Sequence, residues 1–254
     1  RGNIGYRGGF YFLAGREPIV PLRLRRAENS LKLWRPARRI AMILRHVPFV
    51  RGVFVSGSLA MSNCEELSDI DLLIVARTNY IWLARFLVLT ILSTLRLRRT
   101  YRDIIAPGIL CPNHWLTETS LTIPSHSEYT ARGYAALIPL IGDISLVHKF
   151  RKANVWVTQY VATWPSVVQP QFSYSRFAHI LEWLIMGTSG LALNRAVKNL
   201  QLRIMTRHRA RGAPADNVRL DDTQLAFHPQ SVELSVIQKY SERLFALGIG
   251  QPMR

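Results

Sequence analysis

Acidic residues are scarce in this chain. Of its 254 residues, 16 are Asp or Glu against 33 Lys or Arg, a formal net charge of +17 at pH 7, and arginine supplies 28 of the basic residues. Such a balance turns the chain toward partners that carry phosphate: a nucleotide, a nucleic acid or an anionic membrane surface. A genome rich in arginine codons would spread the same excess without purpose. Cysteine is scarcer still. Cys64 and Cys111 stand alone, without paired spacing or a grouped histidine, which excludes a disulfide scaffold and a structural zinc site and fits a reducing, cytoplasmic compartment. The seven histidines are scattered, and there is no G-x-S-x-G turn to hold a nucleophilic serine. The G-x-x-x-x-G-K-[ST] loop is missing too, so this is not an ordinary P-loop NTPase. No repeat, low-complexity tract or signal sequence is visible. The chain opens at Arg1 without methionine and reads as a fragment or a processed product.

What is present is enough for a core. Nearly half of the residues are apolar and 10% are aromatic, which describes a globular chain with room for one large or two small domains. The stretch from Val53 to Val75, V-F-V-S-G-S-L-A-M-S-N-C-E-E-L-S-D-I-D-L-L-I-V, organises the rest. Its pattern predicts a buried strand, a Gly-Ser turn into a short helix, a polar loop and a second strand that opens on two aspartates. Asp69 and Asp71 are two apart, so on a strand both carboxylates share one face while Ile70 points into the core. A pair of this kind suits Mg²⁺, which is held through one or two carboxylates plus substrate phosphates. Gly57, lacking a Cβ, lets backbone and phosphate approach closely, and Ser58 offers a hydroxyl and an N–H at a helix start.

At these residues the sequence resembles the DNA polymerase β-like nucleotidyltransferases, whose signature is Gly-Ser (or Gly-Gly), about ten residues, then Asp-x-Asp opening a hydrophobic strand. Here that is Gly57-Ser58, ten residues, then Asp69-Ile70-Asp71-Leu72-Leu73-Ile74-Val75, with Ser68 ahead of the first aspartate. The likeness covers residues 50 to 76 firmly and reaches loosely to 125. It implies an α/β (α+β) fold with a nucleotidyltransferase-type mixed sheet packed with helices. It also implies transfer of a nucleoside monophosphate from Mg-NTP to a hydroxyl acceptor, with pyrophosphate leaving. Asp69 and Asp71 would bridge two Mg²⁺ ions, while Gly57, Ser58 and Ser68 would bind the nucleotide. Members of the family normally take a third acidic residue from a later strand, to bind the catalytic metal and accept the proton of the attacking hydroxyl. The strand expected from Ile109 to Leu116 contains none. Glu118 is the nearest candidate and Asp103 the next, with Asn113 or His114 as alternatives for the inward position. Met61 is a further departure, standing where many small members place an arginine. A nucleotidyltransferase fold that has lost its third carboxylate and holds nucleic acid or an anionic membrane is the alternative. A sugar-nucleotide glycosyltransferase using Asp-x-Asp leaves the Gly-Ser turn unexplained.

Around this centre the chain divides into residues 1–30, a nucleotidyltransferase core at 31–125 and a helical region at 126–254. The first 20 residues predict a β-hairpin, either the wing of a truncated winged-helix module or a strand padding the next domain. A helix follows with Pro36 in its first turn, its apolar positions Ala37, Ile40, Ile43, Leu44 and Val47 facing the sheet. From Ile81 to Leu95 the chain is apolar nearly all round, short of the roughly 20 residues of a membrane span. It reads either as a helix buried on the sheet or as a membrane-surface contact through 81–102, with Arg96, Arg98, Arg99 and Arg102 meeting head groups. Helices are predicted at 129–138, 144–160, 176–186, 191–208 and 232–247. Trp156, Tyr160, Trp164 and Trp183 read as core or as base-stacking residues. Arg203, Arg207, Arg209 and Arg211 read as phosphate contacts to nucleic acid or as partners of a helix C-terminus.

Overall fold

The computed structural model describes residues 4–98, 108–210, 218–227 and 233–248, without the side chains of 208–210. The hairpin is β1 (Ile4–Arg7) and β2 (Phe10–Leu13), a two-stranded sheet of its own. Helix α1 (Ile19–Leu44) then runs for 26 residues, so the division at residue 30 falls inside it and Pro36 sits in its interior rather than its first turn. The real opening proline is Pro21, where the helix has no N–H to lose. Tertiary packing holds the helix through Pro36: Ala37, Ile40, Ala41 and Leu44 are buried against the sheet.

That sheet has six strands in the order β6-β3-β4-β5-β8-β7. In chain order β3 (Val50–Val55) leads through the single-turn helix α2 (Gly57–Ala60) to β4 (Ile70–Ala76), its antiparallel neighbour. Helix α3 (Ile81–Thr94) carries the crossover to β5 (Leu110–Thr117), which lies parallel to β4; the other neighbouring pairs are antiparallel. Helix α4 (Glu128–Ala135) precedes the edge strand β6 (Ile138–Ile141), and α5 (Ile144–Ala153), α6 (Arg176–Ile185) and α7 (Thr188–Ala210) follow. Strands β7 (Val218–Leu220) and β8 (Gln224–Phe227) extend the other edge, and α8 (Glu233–Ala246) closes the described chain. The architecture is thus mixed α/β, with helices on both faces of the sheet.

Strand alternation sorts the core. Val53, Val55, Ile70, Leu72, Ile74 and Trp115 pack against α1 and α3. On the opposite face Phe54, Leu73, Val75 and Leu116 meet Ala131, Ala135, Leu146, Phe150 and Trp156. Asp71, two residues before Leu73, continues this second face past the end of its apolar cover.

Several expectations need correcting. The helix expected to reach Ile138 stops at Ala135, and Ile138–Ile141 pairs with β3 instead. The helix expected at 144–160 ends at Ala153. There the buried Asn154 side chain accepts from the Ile123 N–H (2.8 Å) and donates to the carbonyls of Leu121 (2.8 Å) and Phe150 (2.9 Å), and a 3₁₀ turn follows at Val155–Gln159. Strand β5 takes its second partner from β8. The region 126–254 is therefore not helical alone, since it supplies both edges of the sheet. Most of α3 lies out of reach of any lipid: Ile81, Trp82, Leu83, Ala84, Arg85, Val88, Leu89 and Leu92 are buried. Helix α7 covers it, with Asn194 accepting from the Leu83 N–H (2.9 Å) and Gln201 donating to the Trp82 carbonyl (2.9 Å). Arg99 and Arg102 lie outside the described residues. No described helix is long and apolar enough to cross a membrane.

Candidate active site

The C-terminal end of β3 and the N-terminal ends of β4 and β5 meet at one edge of the second sheet face. Gly57 turns the chain there with φ +63°, a left-handed conformation that glycine adopts without strain. The space where its Cβ would stand is taken by the Asp71 carboxylate: an added methyl would overlap Oδ2 and sit 3.1 Å from Cγ. The Ser56 N–H donates to the Asp71 carbonyl at 3.0 Å, tying the corner to the start of β4. The glycine corner and the Asp71 carboxylate therefore face each other, half-buried and in contact.

Asp69, Asp71 and Cys111 form one cluster, with a donor atom from each lying within 4.8 Å of the others. Cys111 enters through strand register, because parallel pairing sets it directly opposite Asp71. Asn113 shares the site and donates from Nδ2 to Asp71 Oδ1 at 2.7 Å. His114, the other alternative for the inward position, turns into the core. Its Nδ1 lies 2.8 Å from the Tyr134 hydroxyl and its Nε2 2.8 Å from the Gln224 amide nitrogen. The Tyr129 phenol is held above its usual range, first by burial and then by the charges of Glu233 and Asp71, so it borders the acid pair. Glu233, at the start of α8, accepts from Ser125 (2.9 Å) and Ser127 (2.7 Å).

Glu118 is not part of this arrangement. Its N–H donates to the carbonyl of Ala76, at the far end of β4, and its carboxylate lies 3.6 Å from Arg51. About 17 Å of strand separates Ala76 from Asp71. Asp103 lies outside the described residues. Ser68 spends its hydroxyl on the Glu65 N–H (2.9 Å), shaping the loop before Asp69. Ser58 is half-buried beside Asp71's corner, its Oγ 3.5 Å from Cys64 Sγ. Helix α1 braces that loop: Ser30 accepts from the Cys64 N–H (3.0 Å), Arg23 donates to the Met61 carbonyl (3.2 Å) and Arg26 pairs with Glu65.

The other singled-out residues lie elsewhere. Trp156 is core, stacked on His126 at 4.2 Å, and Trp164 lies under the Arg151 guanidinium at 4.6 Å. Tyr160 meets Trp156 edge-on and donates to the His126 carbonyl (3.3 Å), while Trp183 is exposed. Arg203 and Arg207 stand exposed one turn apart on α7 and border an open groove with Asn199, Leu202 and Thr206, none of them a site residue. Neither the Arg209 side chain nor Arg211 is among the described residues. The chain matches no protein-family model, and no curated protein or solved structure is significantly similar to it.

Proposed function

We propose that this protein transfers a nucleoside monophosphate from a metal-bound NTP to a hydroxyl acceptor. The observation that carries this reading is the contact between the Gly57 corner and the Asp71 carboxylate, with Asp69 clustered beside Asp71. Asp69 and Asp71 fit one divalent cation of the kind that travels with a triphosphate, Mg²⁺ being the first choice for oxygen ligands. Such an ion, when bound, would neutralise charge on the phosphates. The two-ion arrangement implied by the resemblance lacks its third carboxylate among the described residues, where Cys111 offers sulfur and Asn113 an amide.

The chain's own residues supply the rest. Gly57, with no Cβ, lets the Asp71 carboxylate close onto the corner, and phosphate oxygens would meet the backbone of this turn, where the Ser58 hydroxyl lies beside Cys64 Sγ. Asn113 fixes the rotamer of Asp71 and so keeps one carboxylate oxygen turned to the corner. Catalysis of this type rests on alignment of the acceptor with the α-phosphate and on charge compensation rather than on covalent chemistry. With Cys111 in the third position, the acceptor's proton is left to the aspartates or to solvent, which predicts slow turnover.

A second reading follows from the same residue: a nucleotide-binding module without transfer. Both are tested by incubating the protein with α-labelled NTPs and cell extract beside Asp69→Asn/Asp71→Asn. Label that appears on an acceptor only with the unaltered protein supports transfer. Nucleotide binding without label supports the module, and equal label from both proteins removes the aspartates from any role.

A further inference from the structure

Helix α6 is built inside out. Its buried side carries Ser175 at the cap, Ala178 and Glu182. Glu182 is 1% exposed and receives Arg51 through two bonds of 2.7 Å, Arg77 at 3.2 Å, the Tyr174 hydroxyl and the Phe49 N–H. The opposite side carries Phe177, Ile180, Trp183 and Leu184, 57%, 58%, 76% and 64% exposed. Positions 177, 180 and 184 form one helical stripe, with Trp183 beside it. Ordinary burial would reverse this arrangement, so the apolar stripe is presented to something outside the described chain.

Charge selects what that is. Between residues 144 and 215 there are ten Lys or Arg and one acid, and that acid is the buried Glu182. Arg176, exposed, shares the face of α6 that carries Ile180 and Trp183 by helical spacing, and Lys149 and Lys152 on α5 and Arg195, Arg203 and Arg207 on α7 are exposed as well. A second copy of the chain would bring another +17 to the contact, which opposes self-association. Nucleic acid would use the arginines but has no use for exposed Ile180 and Leu184, which cannot stack on a base. An anionic bilayer uses both: apolar side chains enter the head-group region, tryptophan sits at its boundary, and the cations meet the phosphates. We propose that the Phe177–Ile180–Trp183–Leu184 face of α6 docks the protein on an anionic lipid surface, with the helix lying in the plane of the membrane.

The test is co-sedimentation of the full chain with phosphatidylglycerol-containing vesicles and with pure phosphatidylcholine vesicles, together with tryptophan quenching by brominated acyl chains. Binding to the anionic vesicles, weakened by salt, with quenching that disappears in Trp183→Ser, is the expected result. The triple variant Ile180→Ser/Trp183→Ser/Leu184→Ser should lose at least about tenfold in affinity. Leu31→Ser, at an exposed site on α1, should bind as the unaltered protein does. The side chains replaced are solvent-facing, and the helix content of each variant is checked by circular dichroism. Absence of binding to the anionic vesicles overturns the proposal, as does equal binding by the triple variant. A dimer in sedimentation equilibrium that the triple variant dissociates overturns it in favour of a second copy.

Discussion

Replacing Gly57 with alanine tests whether the corner and the aspartates work as one site. The new methyl meets two penalties. At φ +63° a residue with a Cβ is strained, which costs ~1–2 kcal/mol. The methyl also overlaps the Asp71 carboxylate, so the side chain must swing away from Asn113, forfeiting a charge-assisted bond of 2.7 Å worth ~1.5–3 kcal/mol. The site is half-buried, so the lower ends apply and the sum is roughly 2.5 kcal/mol. Gly8→Ala is the matched control: its φ is +55°, yet nothing lies within 4 Å of the added methyl. Urea unfolding should place Gly57→Ala about 2.5 kcal/mol below the unaltered protein, and Gly8→Ala no more than ~1–2 kcal/mol below it. Titration calorimetry with Mg²⁺ and a non-hydrolysable NTP should show binding lost in the first and retained in the second. Equal behaviour of the two variants in both assays would refute the proposed contact.

Three further outcomes follow. Cys111→Asp places a third oxygen donor opposite Asp71 and should raise Mg²⁺ affinity by about tenfold or more; unchanged affinity in calorimetry would mean that this position does not face the ion. Glu118→Gln should leave nucleotide binding and transfer unaltered in steady-state kinetics, because Glu118 sits with Arg51 at the far end of the sheet. Burial opposes ionisation of Glu182, but the bonds from Arg51 and Tyr174, the Arg51 charge and the Phe49 N–H outweigh it and hold its pKa at about 2, against 4.5. A lowered folded-state pKa adds stability that is complete above pH 4.5 and is lost as pH falls toward 2, on the order of 3 kcal/mol. Glu182→Gln should abolish that part of the acid dependence in urea unfolding and lower stability at pH 7 by about 3 kcal/mol, since Arg51 and Arg77 lose their counter-charge.

The parts of the fold legible in the sequence were those written locally. Val53–Val55 and Leu72–Val75 are apolar runs long enough to be strands, and the Gly-Ser turn with its paired aspartates lies between them, so the corner was visible from residue order alone. Strand β6 was not, because I-P-L-I after a helix looks like the helix's own end until β3 supplies its partner. Pairing across long separations hid β7 and β8 in the same way. Of the candidates for the inward position, Asn113 does lie on Asp71, while Glu118 does not, for a related reason. Glu118 was the nearest acid in sequence, but register sets it beside Ala76, and the same register delivers Cys111 to Asp71. Nothing near Cys111 marked it for that place. The exposed stripe of α6 was equally hidden, because its 3.6-residue periodicity does not say which face turns inward; the burial of Glu182 against Arg51 decides it.

The most direct measurement is a crystal soaked with Mn²⁺, as an anomalously scattering stand-in for Mg²⁺, and a non-hydrolysable NTP. An anomalous peak is expected between the Asp69 and Asp71 carboxylates, with the β- and γ-phosphates against the turn at Gly57 and Ser58. A peak elsewhere, or a triphosphate bound away from that corner, would contradict the proposed site.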